Sequence, residues 1–140
     1  MNKLAVVYWS GTGNTQEMAQ IVAEAAKAAG AMVEVFEALQ FSKEKVAGFD
    51  ALALGCPSMG DDELEEFEFR PMWDEIKSSL RGKKLSLFGS YDWGDGLWMR
   101  NWEQEAEQLG LFLHSPYVIC VGAPDKEATD KLEKMGQELA

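Results

Sequence analysis

Short apolar runs alternate with stretches of helical periodicity along the whole chain, and this alternation constrains the fold more than any other feature of the sequence. The five runs are residues 4–9, 32–36, 51–55, 85–89 and 117–121, and residues 111–113 have the composition of an interrupted start to the fifth run. Continuous apolar runs of this length are typical of strands that are covered on both faces of a parallel sheet. We therefore expect five strands, of which the first, residues 4–9, is buried on both faces.

Helices are predicted between these strands. In residues 15–29, apolar side chains recur at helical spacing, and Gly30 follows where a helix often ends. Residues 37–50 have room for a short helix only, and longer helices are expected at about 64–80, 98–109 and 125–139. This alternation predicts an α/β fold with one open parallel sheet and helices on both faces. A chain of 140 residues is about the size of one domain, so residues 1–140 are expected to form a single domain.

Acidic residues clearly outnumber basic ones. The 24 Asp and Glu residues stand against 13 Lys and Arg residues, which gives a formal net charge of −11. A chain of this charge repels the phosphates of nucleic acids and the headgroups of anionic lipids, so neither is expected as a partner. Hydrophobic residues make up 46% of the chain, which is enough to build a packed core.

The two cysteines, Cys56 and Cys120, lie far apart and outside any CxxC motif or Cys/His cluster. Neither a disulfide framework nor a metal site is therefore expected, and a reducing cytoplasm is the favoured location. The apolar run 4–9 ends at Ser10 and Gly11, so it is too short for a signal sequence or a membrane span. We expect no segment that exports or anchors the chain.

The segments that follow the first, third and fourth predicted strands are rich in glycine, hydroxyl and aromatic residues. In open α/β sheets, ligands bind beyond the carboxyl ends of the strands, at the point where the strand order reverses. The candidate binding residues are therefore Ser10, Gly11, Thr12, Gly13, Asn14, Thr15, Pro57, Ser58, Met59, Gly60, Asp61, Asp62, Ser90, Tyr91, Asp92, Trp93 and Gly94.

Residues 10–15 combine two glycines with hydroxyl and amide side chains directly before a predicted helix. Backbone N–H groups and the positive end of the helix dipole converge there, which favours an anion. No Lys or Arg is present, so this is not a Walker loop, and Gln16 stands where a dinucleotide-binding loop has its third glycine. A terminal phosphate held by neutral donors fits better. The alternative is an ordinary strand-to-helix turn capped by Thr12 or Thr15.

Residues 59–62 have the composition of a tight turn, in which the peptide between Gly60 and Asp61 is free to flip because both residues tolerate positive φ. Six carboxylates follow within residues 61–68, with no basic residue among them. The alternative interpretation is that this acidic run is a solvated helix start, which the helix dipole favours.

Trp93 has no apolar neighbours in sequence, so it is the aromatic residue best suited to cover a planar ligand. Trp98 and Trp102 are four residues apart and indicate the buried stripe of a helix. His114 is the only histidine, and no Ser/His/Asp triad is built around it. A phosphatase loop that began at Cys56 would need Arg at position 62, where Asp stands.

The chain resembles the flavodoxin family, in particular the short-chain flavodoxins of anaerobic bacteria, in three segments: SGTGNT at 10–15, MGD at 59–61 and SYDWGDG at 90–96. The resemblance runs from end to end. It implies the family's doubly wound sheet with strand order 2-1-3-4-5 and helices on both faces. It also implies FMN as a cofactor that is held without a covalent bond.

The resemblance further implies how the candidate residues meet FMN. The phosphate would lie in the 10–15 segment and on Ser90, where the helix terminus supplies positive potential without a basic residue. Met59 and Trp93 would cover the two faces of the isoalloxazine ring. The backbone of residues 91–94 would meet the pyrimidine edge of the ring.

Two residues depart from the pattern that the resemblance implies. A carboxylate at position 62 would face N3 of the ring, but Asp62 is one methylene shorter than the Glu expected in close relatives. Asp92 stands where a glycine is expected and places an additional charge near the ring. In the family, the carbonyl of Gly60 would turn toward N5 when the flavin takes up one electron and one proton.

The function implied is that of a low-potential one-electron carrier, shuttling between semiquinone and hydroquinone, without substrate turnover of its own. The acidic rim would lower the potential and steer basic redox partner proteins into transient docking with a monomer. One alternative is a reductase that takes hydride from NAD(P)H, although no segment remains to build a nicotinamide pocket. The other alternative is a binding domain without FMN.

Overall fold

The computed structural model describes residues 2–140 and shows an α/β fold built on one five-stranded sheet. The strands are β1 (Lys3–Tyr8), β2 (Met32–Glu37), β3 (Ala51–Gly55), β4 (Lys84–Tyr91) and β5 (Val118–Val121). They lie in the order β2-β1-β3-β4-β5, and each neighbouring pair is parallel. The predicted sheet and its strand order are therefore confirmed.

Helices cover both faces of this sheet. They are α1 (Asn14–Ala28), α2 (Lys43–Val46), α3 (Phe69–Ile76), α4 (Leu97–Gln108) and α5 (Lys126–Leu139). Successive side chains of β1 point to opposite faces: Ala5 and Val7 join one core with α3 and α4, whereas Leu4 and Val6 join another with α1 and α5. Within residues 2–140, no helix is both long and apolar enough to cross a bilayer.

The helix expected at about 64–80 is shorter than predicted. It begins only at Phe69 and ends at Ile76, and a 3₁₀ turn follows it at Lys77–Ser79. Glu65 explains the late start, because its carboxylate accepts the backbone N–H groups of residues 67–69 and ends the preceding loop at that point. The acidic residues before position 69 therefore belong to a loop and not to the helix.

Residues 111–113 form no strand, so the prediction of an interrupted β5 is wrong at this point. The N–H of Leu111 donates to the carbonyl of Ala106 and completes the end of α4, and the Leu111 side chain is buried in the core. Pairing of β5 with β4 begins only at Val118. The stretch 37–50 holds only a 3₁₀ turn at Ala38–Gln40 and the single turn of α2, as expected.

Candidate functional site

The loops that follow β1, β3 and β4 meet at the carboxyl edge of the sheet. The hydroxyls of Thr15 and Ser90 lie 3.1 Å apart, and the N–H of Ser58 donates to the carbonyl of Ser90 at 3.0 Å. All three loops line one cavity of about 100 Å³, whose walls are Ser10, Gly11, Thr12, Asn14, Thr15, Pro57, Ser58, Met59, Ser90, Tyr91 and Asp92. The three segments singled out by the sequence are thus brought together.

The first loop presents free backbone donors. The hydroxyl of Ser10 accepts the N–H groups of Gly13 at 3.0 Å and Gln16 at 3.3 Å, which folds the loop over the start of α1. Gly13 precedes the helix at φ 100° and has no side chain to cap it, and the hydroxyl of Thr15 pairs with that of Ser90. The side-chain bond to this helix end comes from Ser10, so the alternative of a cap by Thr12 or Thr15 is wrong. Among residues 2–140, nothing accepts the N–H groups of residues 11, 12, 14 and 15.

This arrangement suits a phosphate ester. The four residues that carry these N–H donors line the cavity together with the hydroxyl residues, at the positive end of the 15-residue helix α1. No Lys or Arg lies in residues 4–26, 51–69 or 85–99, so the loops supply no side-chain cation. An anion bound here is stabilised by hydrogen bonds and the helix dipole, as expected for a phosphate monoester held by neutral groups.

The second loop is a turn one residue longer than the sequence indicated. Met59 and Glu63 exchange both backbone hydrogen bonds, at 2.8 and 2.9 Å, and enclose Gly60, Asp61 and Asp62. Gly60 has φ 55° and Asp62 has φ 62°, so the second positive φ falls on Asp62 and not on Asp61. Positive φ strains a side-chain-bearing residue, although Asp tolerates it better than most.

Asp62 owes this strained conformation to its surroundings. Its side chain is 7% exposed, and its Oδ1 accepts the hydroxyl of Ser58 at 2.6 Å. Its Oδ2 lies 3.4 Å from the position that a Cβ of Gly94 would occupy, so the carboxylate fills the space between the β3 and β4 loops. The hydrogen bond between Ser58 and Asp62 was not predicted from the sequence. Residues four apart are neighbours in a helix, but the same spacing in a loop does not predict a contact.

The acidic run is divided into buried and exposed carboxylates. Glu65 is 6% exposed, and its carboxylate accepts the N–H groups of Phe67, Glu68 and Phe69 at 2.7–2.8 Å. Its own N–H donates to the sulfur of Cys56. Asp61, Glu63 and Glu66 are exposed, as the interpretation of a charged rim requires. The alternative of a solvated helix start is wrong as to the helix, because α3 begins only at Phe69, although three of the carboxylates are solvated.

The third loop carries an exposed tryptophan and is followed by a buried one. Trp93 is 60% exposed, whereas Trp98 and Trp102 are buried in the core, as predicted. Trp98 donates its indole N–H to the carbonyl of Cys56 at 3.0 Å, and its ring lies 5.3 Å from that of Tyr91. Residues 91–96 therefore leave Trp93 available to a ligand while the start of α4 is held firmly.

One residue that lies beside the site was not singled out by the sequence. Arg100 donates from its guanidinium to the carbonyl and the carboxylate of Asp95, at 2.8 and 2.9 Å. The one feature of the sequence that could have pointed to Arg100 is that it is the first basic residue after residues 85–99, which contain no Lys or Arg. A spacing of five across a helix start is not a pairing rule, so the contact appears only in the folded chain.

The remaining reactive groups do not form a catalytic constellation. Burial raises the pKa of the Cys56 thiol well above its usual value and raises the pKa of Cys120 to about 11. Neither cysteine is therefore a nucleophile at neutral pH. His114 contacts the carbonyl of Glu138 at 3.2 Å, away from the three loops. Within residues 2–140, no three His, Cys, Asp or Glu side chains are grouped to hold a metal ion.

Comparisons with known proteins agree with this geometry. The sequence model of the family described as Flavodoxin matches residues 6–135. The flavodoxin of Clostridium beijerinckii is 39% identical over 137 residues, which cover 98% of this chain and 99% of that protein. The chain belongs to the flavodoxin family.

Two further comparisons place the chain within the flavodoxin family. The flavodoxin of Megasphaera elsdenii is 48% identical over 105 residues, which cover 75% of this chain and 77% of that protein. The solution structure of the two-electron reduced Megasphaera elsdenii flavodoxin superposes with a TM-score of 0.87 and 40% identity, over 98% of this chain and 99% of that one. Flavodoxins are FMN-binding electron carriers, so this chain is an electron-transport flavoprotein whose cofactor is FMN.

Proposed function

We propose that this chain is a low-potential one-electron carrier that shuttles its non-covalently bound FMN between semiquinone and hydroquinone. In this role it transfers electrons between redox enzymes and turns over no substrate of its own. The observation that carries the proposal is the meeting of three loops around a cavity with free N–H donors and no basic side chain. When bound there, FMN supplies the redox chemistry, and the protein supplies binding and electrostatics.

The phosphate of FMN is proposed to lie in the first loop. The phosphate oxygens would accept hydrogen bonds from the backbone N–H groups of residues 11, 12, 14 and 15. These N–H groups have no other acceptor within residues 2–140. The side chains of Ser10, Thr12, Asn14, Thr15, Ser58 and Ser90 surround the same cavity and complete the donor set. The conformation of Gly13, at φ 100°, lets the loop turn into α1 without a side chain in the way.

The isoalloxazine ring is proposed to lie between Met59 and Trp93. Met59 is 38% exposed and Trp93 is 60% exposed, on the loops that flank the cavity. Large apolar side chains left open in this way are suited to cover a planar ring. The remaining contacts are proposed to come from the turn residues Pro57, Gly60, Asp61 and Asp62 and from the backbone of Tyr91, Asp92, Trp93 and Gly94.

The charges around this edge favour a low potential. Asp61, Glu63 and Glu66 are exposed on the second loop, and Asp92 is exposed on the third, where the neighbouring Asp95 is paired with Arg100. A negative charge added to the flavin would face these carboxylates, and like charges repel. For an average separation of about 10 Å, each carboxylate lowers the potential by about 20 mV at a water-like dielectric and by about 70 mV at an effective dielectric of about 20.

The same charges are proposed to guide redox partner proteins. The net charge of −11 opposes association of two copies, which favours a monomer. Two exposed apolar side chains lie near these carboxylates: Phe67, 79% exposed, is on the second loop, and Leu97, 44% exposed, begins α4 directly after the third loop. A basic partner with an apolar centre would dock quickly and weakly on such a surface, with a strong dependence on salt. We place this carrier in the cytoplasm as a single domain of residues 1–140.

Stepwise reduction of the purified protein tests the proposal. An absorbance spectrum should show flavin, and titration with dithionite should produce a distinct one-electron-reduced form before full bleaching. Mixing with NADPH alone should leave the flavin oxidised. Rapid bleaching by NADPH would instead indicate a reductase, and a colourless protein that takes up no added FMN would indicate a binding domain of another kind.

A further inference from the structure

The segment between β4 and α4 is hydrogen-bonded by the side chain of Arg100. Within residues 2–140, the hydrogen bonds to residues 92–95 all come from Arg100. Nη1 donates to the carbonyl of Asp95 at 2.8 Å, and Nη2 donates to its carboxylate at 2.9 Å. Gly94 and Gly96 adopt φ of 83° and 94°, so this backbone has more freedom than most when nothing restrains it.

Arg100 lies in the first turn of α4, which is well packed. Its N–H donates to the carbonyl of Gly96 at 3.1 Å, and its neighbours Trp98 and Met99 are buried in the core. A Cβ at position 96 would lie 2.8 Å from the side chain of Ile119, so the segment passes tightly over β5 as it enters α4. The guanidinium therefore reaches from a fixed helical turn back to the end of a flexible loop.

We propose that Arg100 is a positioning residue for FMN, whose two bonds to Asp95 hold residues 92–95 in the shape in which Trp93 meets the ring. This inference rests on the proposed function, because it assumes that Trp93 covers the flavin. Trp93 is 60% exposed, so core packing does not fix its place. A loop that is ordered before binding spares the cofactor the entropic cost of ordering it.

The positive charge of Arg100 can affect FMN binding independently of the hydrogen bonds to Asp95, so a test must distinguish the two effects. The hydrogen bond with Asp95 raises the pKa of Arg100, and the charge of Asp62 contributes in the same direction. Arg100 therefore offsets part of the negative charge at this edge. Replacement of Arg100 by a neutral residue would change both the tether and the local charge, and so would not separate them.

Three conservative variants make this separation. Arg100→Lys keeps the positive charge but loses the planar fork that engages two oxygens at once. Asp95→Asn changes the charge but keeps both a side-chain and a backbone oxygen as acceptors. Arg81→Lys is the matched control, because Arg81 makes one contact, to the carbonyl of Leu109, in the turn before β4 at the opposite edge of the sheet.

Each variant is to be measured in two ways: the dissociation constant of added FMN, from fluorescence quenching with the apoprotein, and the backbone NMR order parameters of residues 92–95 in the apoprotein. Arg100→Lys should weaken FMN binding by about three- to tenfold, because exposed charged hydrogen bonds are individually modest. It should also lower the order parameters of residues 92–95. Asp95→Asn should change the dissociation constant by less than about twofold, and Arg81→Lys should change neither quantity.

The inference is overturned if Arg100→Lys binds FMN as tightly as the unmodified chain, or if binding weakens without lower order parameters at residues 92–95. It is also overturned if Arg81→Lys weakens binding equally. Failure of the proposed function would look different, because the unmodified chain itself would then take up no FMN.

Discussion

The carboxylate of Glu65 accepts the backbone N–H of Phe69, 2.8 Å away, at the first residue of α3. The same carboxylate serves two further N–H groups, so one acidic side chain sets both the end of the β3 loop and the start of the helix. Glu65 is thus a structural residue inside a run of charges in which Asp61, Glu63 and Glu66 face solvent.

Glu65→Gln should lower the free energy of unfolding by about 1–3 kcal/mol, because an amide offers one acceptor oxygen where two are used and buried N–H groups lose their partners. The measurement is urea denaturation of the apoprotein. The control is Glu66→Gln, because Glu66 is the next residue and is exposed. This change should alter the free energy of unfolding by less than about 0.5 kcal/mol. Equal effects of the two variants would show that Glu65 has no special role.

Trp93→Ala should weaken FMN binding by at least about tenfold, because it removes a large apolar contact with the ring. Its effect on the unfolding of the apoprotein should be small, since Trp93 is 60% exposed. Trp98→Ala should behave in the opposite way and cost about 3–5 kcal/mol of stability, because this side chain is buried. Titration with FMN and urea denaturation of both variants compare the two effects. Unchanged FMN affinity in Trp93→Ala would contradict the stacking role.

Gly60→Thr should reduce the amount of one-electron-reduced flavin that accumulates during a reductive titration. Gly60 has φ 55°, and a β-branched residue there would strain the turn by about 1–2 kcal/mol. If that strain falls on the one-electron-reduced state, it lowers the first one-electron potential and raises the second, so their separation shrinks by about 90–170 mV. Gly82→Thr, also at positive φ but in the turn before β4, controls for general loss of stability. Potentials that stay unchanged in Gly60→Thr would refute the role of this turn.

Conversion of Asp61, Glu63 and Glu66 to amides should raise the second one-electron potential and flatten the dependence of partner reduction on salt. Each charge contributes about 20–70 mV before screening. Glu65 is left intact, because its removal would disturb α3. The matched control carries amides at Glu24, Glu34 and Glu107, which are exposed near the opposite edge of the sheet. An equal shift in this control would assign the effect to net charge and not to the rim.

Stability should fall at alkaline pH in part because of Cys120. Burial, with smaller contributions from the charges of Asp125 and Glu17, raises the pKa of Cys120 to about 11. Between the ordinary thiol pKa of about 8.5 and this raised value, the folded state retains a proton that the unfolded state releases. The stabilisation of the folded state by the protonated Cys120 thiol is therefore fully present below about pH 8.5 and is lost as the pH rises toward 11.

Because Cys120 is only half-buried, the loss at pH 10.5 should be about 1 kcal/mol. Urea denaturation at pH 8 and pH 10.5 measures it, and Cys120→Ala should show a correspondingly weaker dependence on pH. Cys56 is present in both proteins and so does not affect the comparison. The same slope in both proteins would contradict the assignment to Cys120.

Much of the site followed from local patterns. The apolar runs indicated parallel strands, and in such a sheet the loops after β1, β3 and β4 meet at one edge, as Thr15 and Ser90 do. The exposure of Trp93 and the burial of Trp98 also followed, because helical periodicity and neighbouring residues determine which side chain faces the core. The alternation of strands and helices thus determined the fold class and the place where a ligand binds.

Only the folded chain decided which of several similar groups has a structural role. Asp62 and Glu65 are chemically like their neighbours in the acidic run, yet both are buried because Ser58 and the start of α3 place donors beside them. Arg100 holds Asp95 for the same reason, across a loop that no pairing rule spans. Periodicity records which face of an element is apolar, whereas the partner of a buried polar group depends on which donors lie beside it once the elements have packed.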